Sequence, residues 1–274
     1  MTRKKLLTLV LAMLTLGQAA AAQSPLTIFG NATPQTPVDP DTNAVTLGVK
    51  FRSSQPGTIS GIRFYRAARS SSGYVARLYT AGGTMLASKS LSSEPCLTLP
   101  CWEELDFASP ISIGANTTYV AAYFVKGGQY AGDNNGLANG VTSGPITAPA
   151  SSQVGGNGVY KYGTSIAFPN QTYLASNYWV DVAFTPSAPT LNMSFNPPNP
   201  SIPSNAAPGS AVATVNVTWS DGALFTGTLS FVAPNGDDNH KFVLSGNDIT
   251  INPNGPGIGA DGGTTQNITI NAVP

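Results

Sequence analysis

The acidic residues Glu103, Glu104 and Asp106 are the densest group of side chains able to do hydrolytic chemistry. A glycosidase needs two carboxyl groups placed on either side of the scissile bond. On an extended segment Glu104 and Asp106 share one face and Glu103 lies on the other, so this group supplies one side of such a site. Exposed acids on a strand also explain the group without catalysis.

His240 is the only histidine, and it follows Asp237, Asp238 and Asn239 in a polar stretch typical of a turn. A nucleophile needs a base held beside it, and a metal needs several ligands, so one isolated histidine predicts neither. The sequence lacks the nucleophile-elbow, zinc-protease, phosphate-loop and dinucleotide-binding motifs. We therefore expect no enzyme, no catalytic residues, no metal ligands and no cofactor.

Two oxygen-rich stretches have side chains that could bind a structural calcium ion. Asp39 with Asp41, and Asp133-Asn134-Asn135, carry the oxygen ligands that calcium prefers, although neither has the spacing of a known calcium loop. Asp and Asn also form turns by accepting hydrogen bonds from nearby backbone amides. Both readings remain open, with a structural calcium ion as the less favoured one.

A possible binding surface arises on the polar sides of three predicted strands. If residues 45–52, 58–66 and 177–184 neighbour one another in one sheet, aromatic planes and charged groups would lie together, an arrangement suited to sugar rings. Alternatively, Arg63 and Asp181 form a cross-strand ion pair and Trp179 packs under a loop. The predicted ligand-binding residues are Lys50, Arg52, Arg63, Tyr65, Trp179 and Asp181.

The elements that must position these residues are strands. Residues 177–184 alternate, with Tyr178, Val180, Val182 and Phe184 on one predicted core side. Similar runs separated by turn residues predict the strands 45–52, 58–66, 74–80, 84–91, 101–107, 118–125 and 158–162. The first two are expected to form a hairpin, and residues 127–156 are expected to form a long loop.

The amino-terminal residues have the pattern of a secretory signal peptide. A basic start is followed by an apolar run over residues 6–16 and by Ala20-Ala21-Ala22, a small-residue cleavage site. We expect the mature protein to begin near Gln23, outside the cytoplasm, without a later transmembrane segment. Removing Arg3, Lys4 and Lys5 leaves 10 basic residues against 13 acidic ones, a net charge of −3, which disfavours a nucleic-acid partner.

Cys96 and Cys101 are the only cysteines, and an exported pair so close in sequence predicts a disulfide. A loop this short stabilises the fold by about 2 kcal/mol on a chain-entropy argument. Its expected role is to fix the entry to the strand that follows.

The predicted domain organisation of the 274 residues follows from these patterns. Residues 1–22 are the signal peptide, 23–184 a β-sandwich, 185–190 a proline-rich linker and 191–274 a second, smaller β-sandwich. The fold class is all-β: an antiparallel jelly-roll-like β-sandwich followed by an immunoglobulin-like one. The second domain's strands are expected at 211–219, 227–232, 241–244, 248–251 and 266–272.

The first domain resembles a bacterial family of extracellular modules known as domain of unknown function four thousand and eighty-two. The resemblance is carried by residues 48–53, 61–65, 102–107 with Pro110, 116–120, 158–163, Phe168-Pro169 and 177–184. Cys96 and Cys101 depart from the family pattern, which has an ordinary turn at this position. Residues 218–222 and 247–253 resemble the immunoglobulin- or cadherin-like repeats of bacterial surface proteins. The first resemblance implies an accessory β-sandwich of a secreted or surface protein, in some cases found with glycan-active enzymes.

Together these observations favour a secreted, non-catalytic accessory protein whose first domain binds a carbohydrate or another cell-envelope component. One alternative is a structural or adhesive surface protein without a small-molecule ligand. A glycan-active enzyme is the third hypothesis.

Overall fold

A computed structural model describes residues 6–14, 24–67, 73–92, 96, 98–203, 205–220, 222–232, 239–255 and 265–273. The chain divides into two compact units. Ala21–Ser187 form the first unit, and Ala188–Pro274 form the second together with Met1–Ala20. Strands dominate both units, so the predicted all-β class is confirmed. Across the described residues no helix has the length and apolarity to cross a bilayer.

The strands are numbered in chain order, beginning with β1 (Leu6–Leu14). The first unit contains β2 (Val45–Ser53), β3 (Gly57–Arg66), β4 (Val75–Thr80), β5 (Met85–Ser90), β6 (Cys101–Ile113), β7 (Tyr119–Val125), β8 (Val141–Ser143), β9 (Ile146–Ala148), β10 (Val159–Tyr162), β11 (Gln171–Thr172) and β12 (Val180–Pro186). A single turn of 3-10 helix at Ser151–Gln153 follows β9.

Two antiparallel sheets face each other in the first unit. The larger has the order β11-β10-β2-β7-β4-β5, with β9 pairing with β2 and β8, and the smaller has the order β12-β3-β6. Alternate apolar residues of each sheet point inward, and the Phe64 ring of β3 stacks on Tyr123 of β7 with 4.4 Å between centroids. Each large apolar side chain buried between the sheets stabilises the fold by about 1.5–3 kcal/mol, so this layer is the core of a β-sandwich.

The expected hairpin of residues 45–52 and 58–66 is wrong. β2 pairs with β7 and β10, whereas β3 pairs with β12 and β6, so the two strands lie in opposite sheets. The turn at Pro56-Gly57 carries the chain from one sheet to the other, and a Cβ at Gly57 would overlap the Phe184 ring. Both strands therefore bury their apolar side in the same core without pairing.

The long insertion at residues 127–156 is more ordered than its composition predicts. It contains the β8–β9 hairpin, joined through Gly144 at a φ of 55°, and the 3-10 turn. Ala131, Leu137, Ile146 and Ala148 are buried. The β9 strand is only three residues long, and Ala131 and Leu137 belong to no strand, so these apolar residues give no periodic run long enough to predict an element.

The short stretch between β5 and β6 carries the predicted disulfide. Cys96 and Cys101 are bonded, with 6.3 Å between their Cα atoms, and Cys101 is the first residue of β6. The prediction is confirmed, and the bond lies at the entry to the strand.

The second unit contains β13 (Leu191–Asn196), β14 (Ser201–Pro203), β15 (Ala211–Trp219), β16 (Thr228–Phe231), β17 (Phe242–Ser245), β18 (Asp248–Ile251) and β19 (Thr265–Val273). Its sheets have the orders β13-β15-β18-β17 and β14-β1-β19-β16. Their buried side chains include Val215, Ile249 and Ile268, which share one apolar core. The immunoglobulin-like topology stays a prediction.

The strand β1 falls within the predicted signal peptide. In this structure it pairs in parallel with residues 265–271 of β19 and antiparallel with Ser201–Pro203 of β14. A short apolar run suits both a signal peptide and a strand, and in the unprocessed chain this run pairs as a strand. Cleavage near Gln23 stays a prediction.

Candidate functional site

A cleft of about 490 Å³ lined by tyrosine rings opens on the first unit. Its walls come from the stretch before β2, from β2 and β10, from the beginning of the long insertion and from the segment between β11 and β12. The lining residues are Asp39, Asp41, Val45, Leu47, Tyr130, Gly132, Asn134, Tyr160, Tyr162, Tyr173, Ser176 and Tyr178. Five of these twelve side chains are phenols, which sets the chemistry of the cleft.

The position of two phenols follows from strand periodicity. Tyr160 and Tyr162 are separated by one residue on β10, so they share a face. The antiparallel register places Tyr160 opposite Leu47 and Tyr162 opposite Val45, and both partners also line the cleft. The cleft therefore continues the apolar side of β2 and β10 outward, where the rings reach solvent.

The other phenols are brought in by irregular segments. Gly158 has a φ of 72°, and a Cβ there would overlap the carbonyl oxygen of Ser176. Glycine at this point lets the segment that ends at Tyr178 lie against the start of β10. Residues with a side chain rarely adopt a φ of this sign, and a Cβ would also block the approach of Ser176, so this position requires glycine.

The rings form a continuous series with their edges against their neighbours' faces. The centroids of Tyr160 and Tyr162 are 5.6 Å apart at 71°, those of Tyr160 and Tyr178 6.3 Å apart at 74°, and those of Tyr130 and Tyr178 5.8 Å apart at 80°. This geometry suits aromatic quadrupoles and holds each ring in place. Tyr162 and Tyr173 remain 49% and 56% exposed, so they offer ring surface to a ligand.

Asp41 connects the acidic wall to the phenols. Its Oδ2 accepts a 2.6 Å hydrogen bond from the Tyr162 hydroxyl, and its Oδ1 accepts bonds from the backbone and side-chain nitrogens of Asn43 at 2.9 and 2.7 Å. Burial by itself would raise the pKa of Asp41, but these donors, helped by Tyr130, hold it below its usual value. The group is an anion at neutral pH.

Three phenols of the cleft, those of Tyr130, Tyr162 and Tyr178, are uncharged at neutral pH. Burial raises the pKa of Tyr178 to about 12 and also raises that of Tyr130. The hydrogen bond to Asp41 is the largest cause of the raised pKa of Tyr162. Their hydroxyls therefore keep their protons and act as donors and acceptors.

The rim of the cleft is held in an uncommon backbone conformation. Leu174 and Ala175 have φ values of 43° and 45°, and Leu174 is 51% exposed next to Tyr173. In the insertion, the amide of Asn135 donates to the Leu174 carbonyl at 2.8 Å, and the amide of Leu137 donates to the Ala175 carbonyl at 2.9 Å. Positive φ at residues other than glycine costs about 1–3 kcal/mol and concentrates at binding sites, so this rim is a constrained part of the cleft.

The six residues predicted to bind a ligand do not form one surface. Lys50 and Arg52 lie on β2 in the larger sheet, and the Lys50 ammonium donates to the Val154 carbonyl at 2.7 Å. Arg63 and Tyr65 lie on β3, with Asp181 on its neighbour β12 and Trp179 just before it. The expectation of one exposed face fails because β2 and β3 belong to opposite sheets.

Asp181 is buried and binds the protein's own backbone. Its carboxylate accepts the amides of Ile28 at 2.7 Å, Phe29 at 3.0 Å and Val182 at 2.8 Å, and it lies 3.6 Å from the Arg63 guanidinium. Burial raises the pKa of Asp181 despite these amides and Arg63. The Arg63–Asp181 ion pair considered as an alternative is present, and Asp181 holds the segment before β2 in place.

Trp179 lies against the long insertion. It is 7% exposed with a φ of 54°, and its indole nitrogen donates to Asp133 at 2.9 Å. Its ring contacts Phe29, Tyr65 and Trp102 at centroid distances of 5.5, 6.4 and 6.0 Å. With 7% of Tyr65 exposed as well, these rings form a packed cluster and leave little surface for a sugar.

The acidic candidates for catalysis and for calcium have protein partners. Glu103 is buried and pairs with Arg66 at 3.2 Å, while exposed Glu104 lies 3.4 Å from Arg63. Asp133 accepts the amides of Gln35 at 3.0 Å and Thr36 at 2.7 Å. The Asp41 carboxylate forms a local turn by accepting the Asn43 amide, whereas the Asp133 carboxylate joins the insertion to the segment before β2.

His240 lies in the second unit, in the 3-10 turn Asn239–Lys241, and is exposed. It therefore belongs to a different unit from the acidic residues Glu103, Glu104 and Asp106.

The tyrosine cleft is absent from the predictions made from the sequence. Its local signal lies in the predicted strand 158–162, where Tyr160 and Tyr162 alternate with Lys161 and therefore share a face. Tyr178 was predicted as core, and it is 6% exposed while also lining the cleft. Tyr130 and Tyr173 come from segments whose partners depend on the tertiary fold.

No curated protein matches the chain. A family model matches residues 31–180, which include every residue of the tyrosine cleft. The chain belongs to the family described as Domain of unknown function (DUF4082).

Proposed function

We propose that the first unit is a non-catalytic carbohydrate-binding module of a secreted protein and that the tyrosine cleft is its binding site. The observation that carries the proposal is the cleft itself, in which exposed rings of Tyr162 and Tyr173 stand beside the carboxylates of Asp39 and Asp41.

The chemistry of a sugar ring matches this lining. The C–H faces of a pyranose stack on aromatic planes, and its hydroxyls need acceptors and donors at the edges of the contact. Tyr162 and Tyr173 supply the planes, while Asp39, Asp41 and the neutral phenol hydroxyls supply hydrogen-bonding groups. The volume is within the usual range for small-molecule sites.

The cleft is better suited to binding than to hydrolysis. Hydrolysis by a pair of carboxyl groups needs a protonated acid on one side of the bond and a second carboxylate on the other. Asp39 and Asp41 are two residues apart in one turn, where the Asp41 amide donates to Asp39 at 2.9 Å. The lowered pKa of Asp41 also makes it a poor proton donor at neutral pH.

A glycan array followed by calorimetry tests the proposal on the full chain. We expect at least one saccharide to bind, with affinity falling about tenfold or more in Tyr162→Ala and Tyr173→Ala because each removes an exposed stacking plane. Met85→Ala is the matched control, since Met85 is 52% exposed and lies on β5 outside the cleft lining. An array without binding, or tight binding unchanged in both tyrosine variants, would overturn the proposal.

An adhesive function is the second candidate, favoured by the adjacent exposed side chains Tyr173 and Leu174. Aromatic and aliphatic groups on a rigid rim are typical of protein contacts. Capture of an envelope protein that depends on Leu174, together with a blank glycan array, would favour this function over carbohydrate binding.

A further inference from the structure

The charged side chains that line the tyrosine cleft are all acidic. Asp39 and Asp41 line it, and no lysine or arginine is among the described residues of its lining. No cation is among the groups that shift the pKa of Asp41; the neighbours that lower it are Tyr162, Asn43 and Tyr130. Lys161 lies between Tyr160 and Tyr162 on β10, and strand alternation turns it to the opposite face.

Charged groups on β3 and β12 are arranged differently. Arg63 lies 3.6 Å from Asp181 and 3.4 Å from Glu104, so those carboxylates already have a cation. The two carboxylates of the cleft have only neutral donors. A ligand entering the cleft therefore meets negative charge that is not balanced locally.

The acidic wall retains capacity to accept further hydrogen bonds. Asp39 Oδ1 accepts the Asp41 amide at 2.9 Å, while its second oxygen receives no hydrogen bond from the described residues. Asp41 Oδ2 accepts one bond, from Tyr162, and a carboxylate oxygen can accept two. Acceptor positions thus remain on both of these neighbouring carboxylates.

The phenols complete a site for a cation. An ammonium within about 6 Å of a tyrosine ring is attracted by the negative face of that ring, and a charged hydrogen bond to a carboxylate is stronger than a neutral one. The Tyr162 ring is half exposed and its hydroxyl contacts Asp41, so the ring face and the carboxylate lie close together in one site.

We propose that the tyrosine cleft selects saccharides bearing a free ammonium group, such as oligomers of deacetylated amino sugars, and rejects oligomers of uronic acids. The inference rests on the proposed carbohydrate-binding function and specifies its ligand. Sugar rings stack on Tyr162 and Tyr173, the ammonium binds at Asp39 and Asp41, and a uronate carboxylate is repelled by the same two groups.

Calorimetry on the full chain with three matched oligosaccharides tests this ligand class. The probes are glucosamine, N-acetylglucosamine and galacturonic acid oligomers of equal length. We expect the glucosamine oligomer to bind about tenfold more tightly than the acetylated one, with galacturonate showing no binding. Raising the salt concentration from about 0.05 M to about 0.5 M should weaken the glucosamine complex most, because screening acts on the charged contact.

Variants at the acidic wall locate the selectivity. Asp39→Asn and Asp41→Asn keep an oxygen acceptor but remove the charge, so the combined variant should bind glucosamine and N-acetylglucosamine oligomers within about twofold of each other. Asp106→Asn, at an exposed position on β6 outside the cleft lining, is the control and should keep the preference. The thermal midpoint of each variant verifies that the fold is intact.

The outcomes separate this inference from the proposed function. Equal or tighter binding of neutral or uronic acid oligomers would overturn the ammonium selectivity and leave carbohydrate binding standing. A preference for glucosamine that survives in the combined Asp39 and Asp41 variant would overturn the assignment to these two residues. Absence of binding to any saccharide would overturn both proposals.

Discussion

The Tyr162 hydroxyl donates a 2.6 Å hydrogen bond to the carboxylate of Asp41, 121 residues earlier in the chain. This contact joins β10 to the turn that precedes β2, and the Asp41 carbonyl in turn accepts the Gln129 amide at 2.6 Å. Three segments distant in sequence thus meet at one residue, Asp41, on the wall of the tyrosine cleft.

Tyr162→Phe should raise the pKa of Asp41 while leaving the ring in place. The variant removes the strongest donor that stabilises the carboxylate, and with only the Asn43 and Tyr130 donors left the pKa of Asp41 should lie closer to its usual value. The cost in stability should be at most about 1 kcal/mol, because Tyr162 is half exposed. Carboxyl-resolved NMR titration measures the change, and an unaltered Asp41 pKa would contradict the hydrogen bond.

The same pair predicts a pH dependence of stability. A carboxyl whose folded pKa lies below its unfolded value stabilises the fold above the unfolded pKa, about 3.9, and loses that contribution as pH falls through the folded value. The stability difference between wild type and Tyr162→Phe should therefore be constant at neutral pH and disappear in acid. Urea unfolding at several pH values measures it, and a difference that grows in acid would show that the Tyr162 hydrogen bond does not lower the folded pKa of Asp41.

Asp181→Asn should destabilise the first unit by about 1–3 kcal/mol. Its carboxylate accepts three backbone amides and faces Arg63, and an amide nitrogen cannot accept the bonds that one carboxylate oxygen accepts. Hydrogen exchange should become faster at Ile28 and Phe29. Asp106→Asn serves as the exposed control on β6, and equal stability of the two variants would show that Asp181 does not hold this segment.

Asp133→Ala should loosen the long insertion around Trp179. The variant leaves the indole nitrogen and the amides of Gln35 and Thr36 without their acceptor, so water should reach the ring. We expect a red shift of tryptophan fluorescence and faster proteolysis within residues 127–156. Asn139→Ala, an exposed position of the same insertion, should cause neither change; matching spectra for the two variants would contradict this role of Asp133.

Processing of the amino terminus should change the second unit. If the leader is removed near Gln23, residues 265–271 of β19 lose the parallel partner that they have in this structure. Amides of β19 should then exchange faster in the exported protein than in a chain whose cleavage site is blocked. Amino-terminal sequencing establishes the cleavage, and an exported protein that begins at Met1 would contradict it.

Local sequence patterns determined the strands and the disulfide. Alternation over residues 211–219 and 248–251 gave the observed bounds of β15 and β18, because a half-buried strand requires period two and turn residues mark its ends. Proximity in an exported chain was enough to pair Cys96 with Cys101. Such features depend on near neighbours, which the sequence displays directly.

Tertiary structure decided which sheet each strand joined and what covered its second face. Pro56-Gly57 is compatible with a hairpin or with a crossing between sheets, and the crossing separates Lys50 and Arg52 from Arg63 and Tyr65. The insertion and the segment around Phe29 then bury Trp179 and Asp181. The tyrosine cleft likewise depends on contacts between segments more than a hundred residues apart, and period two cannot specify such contacts because it states only which side of its own strand a residue occupies.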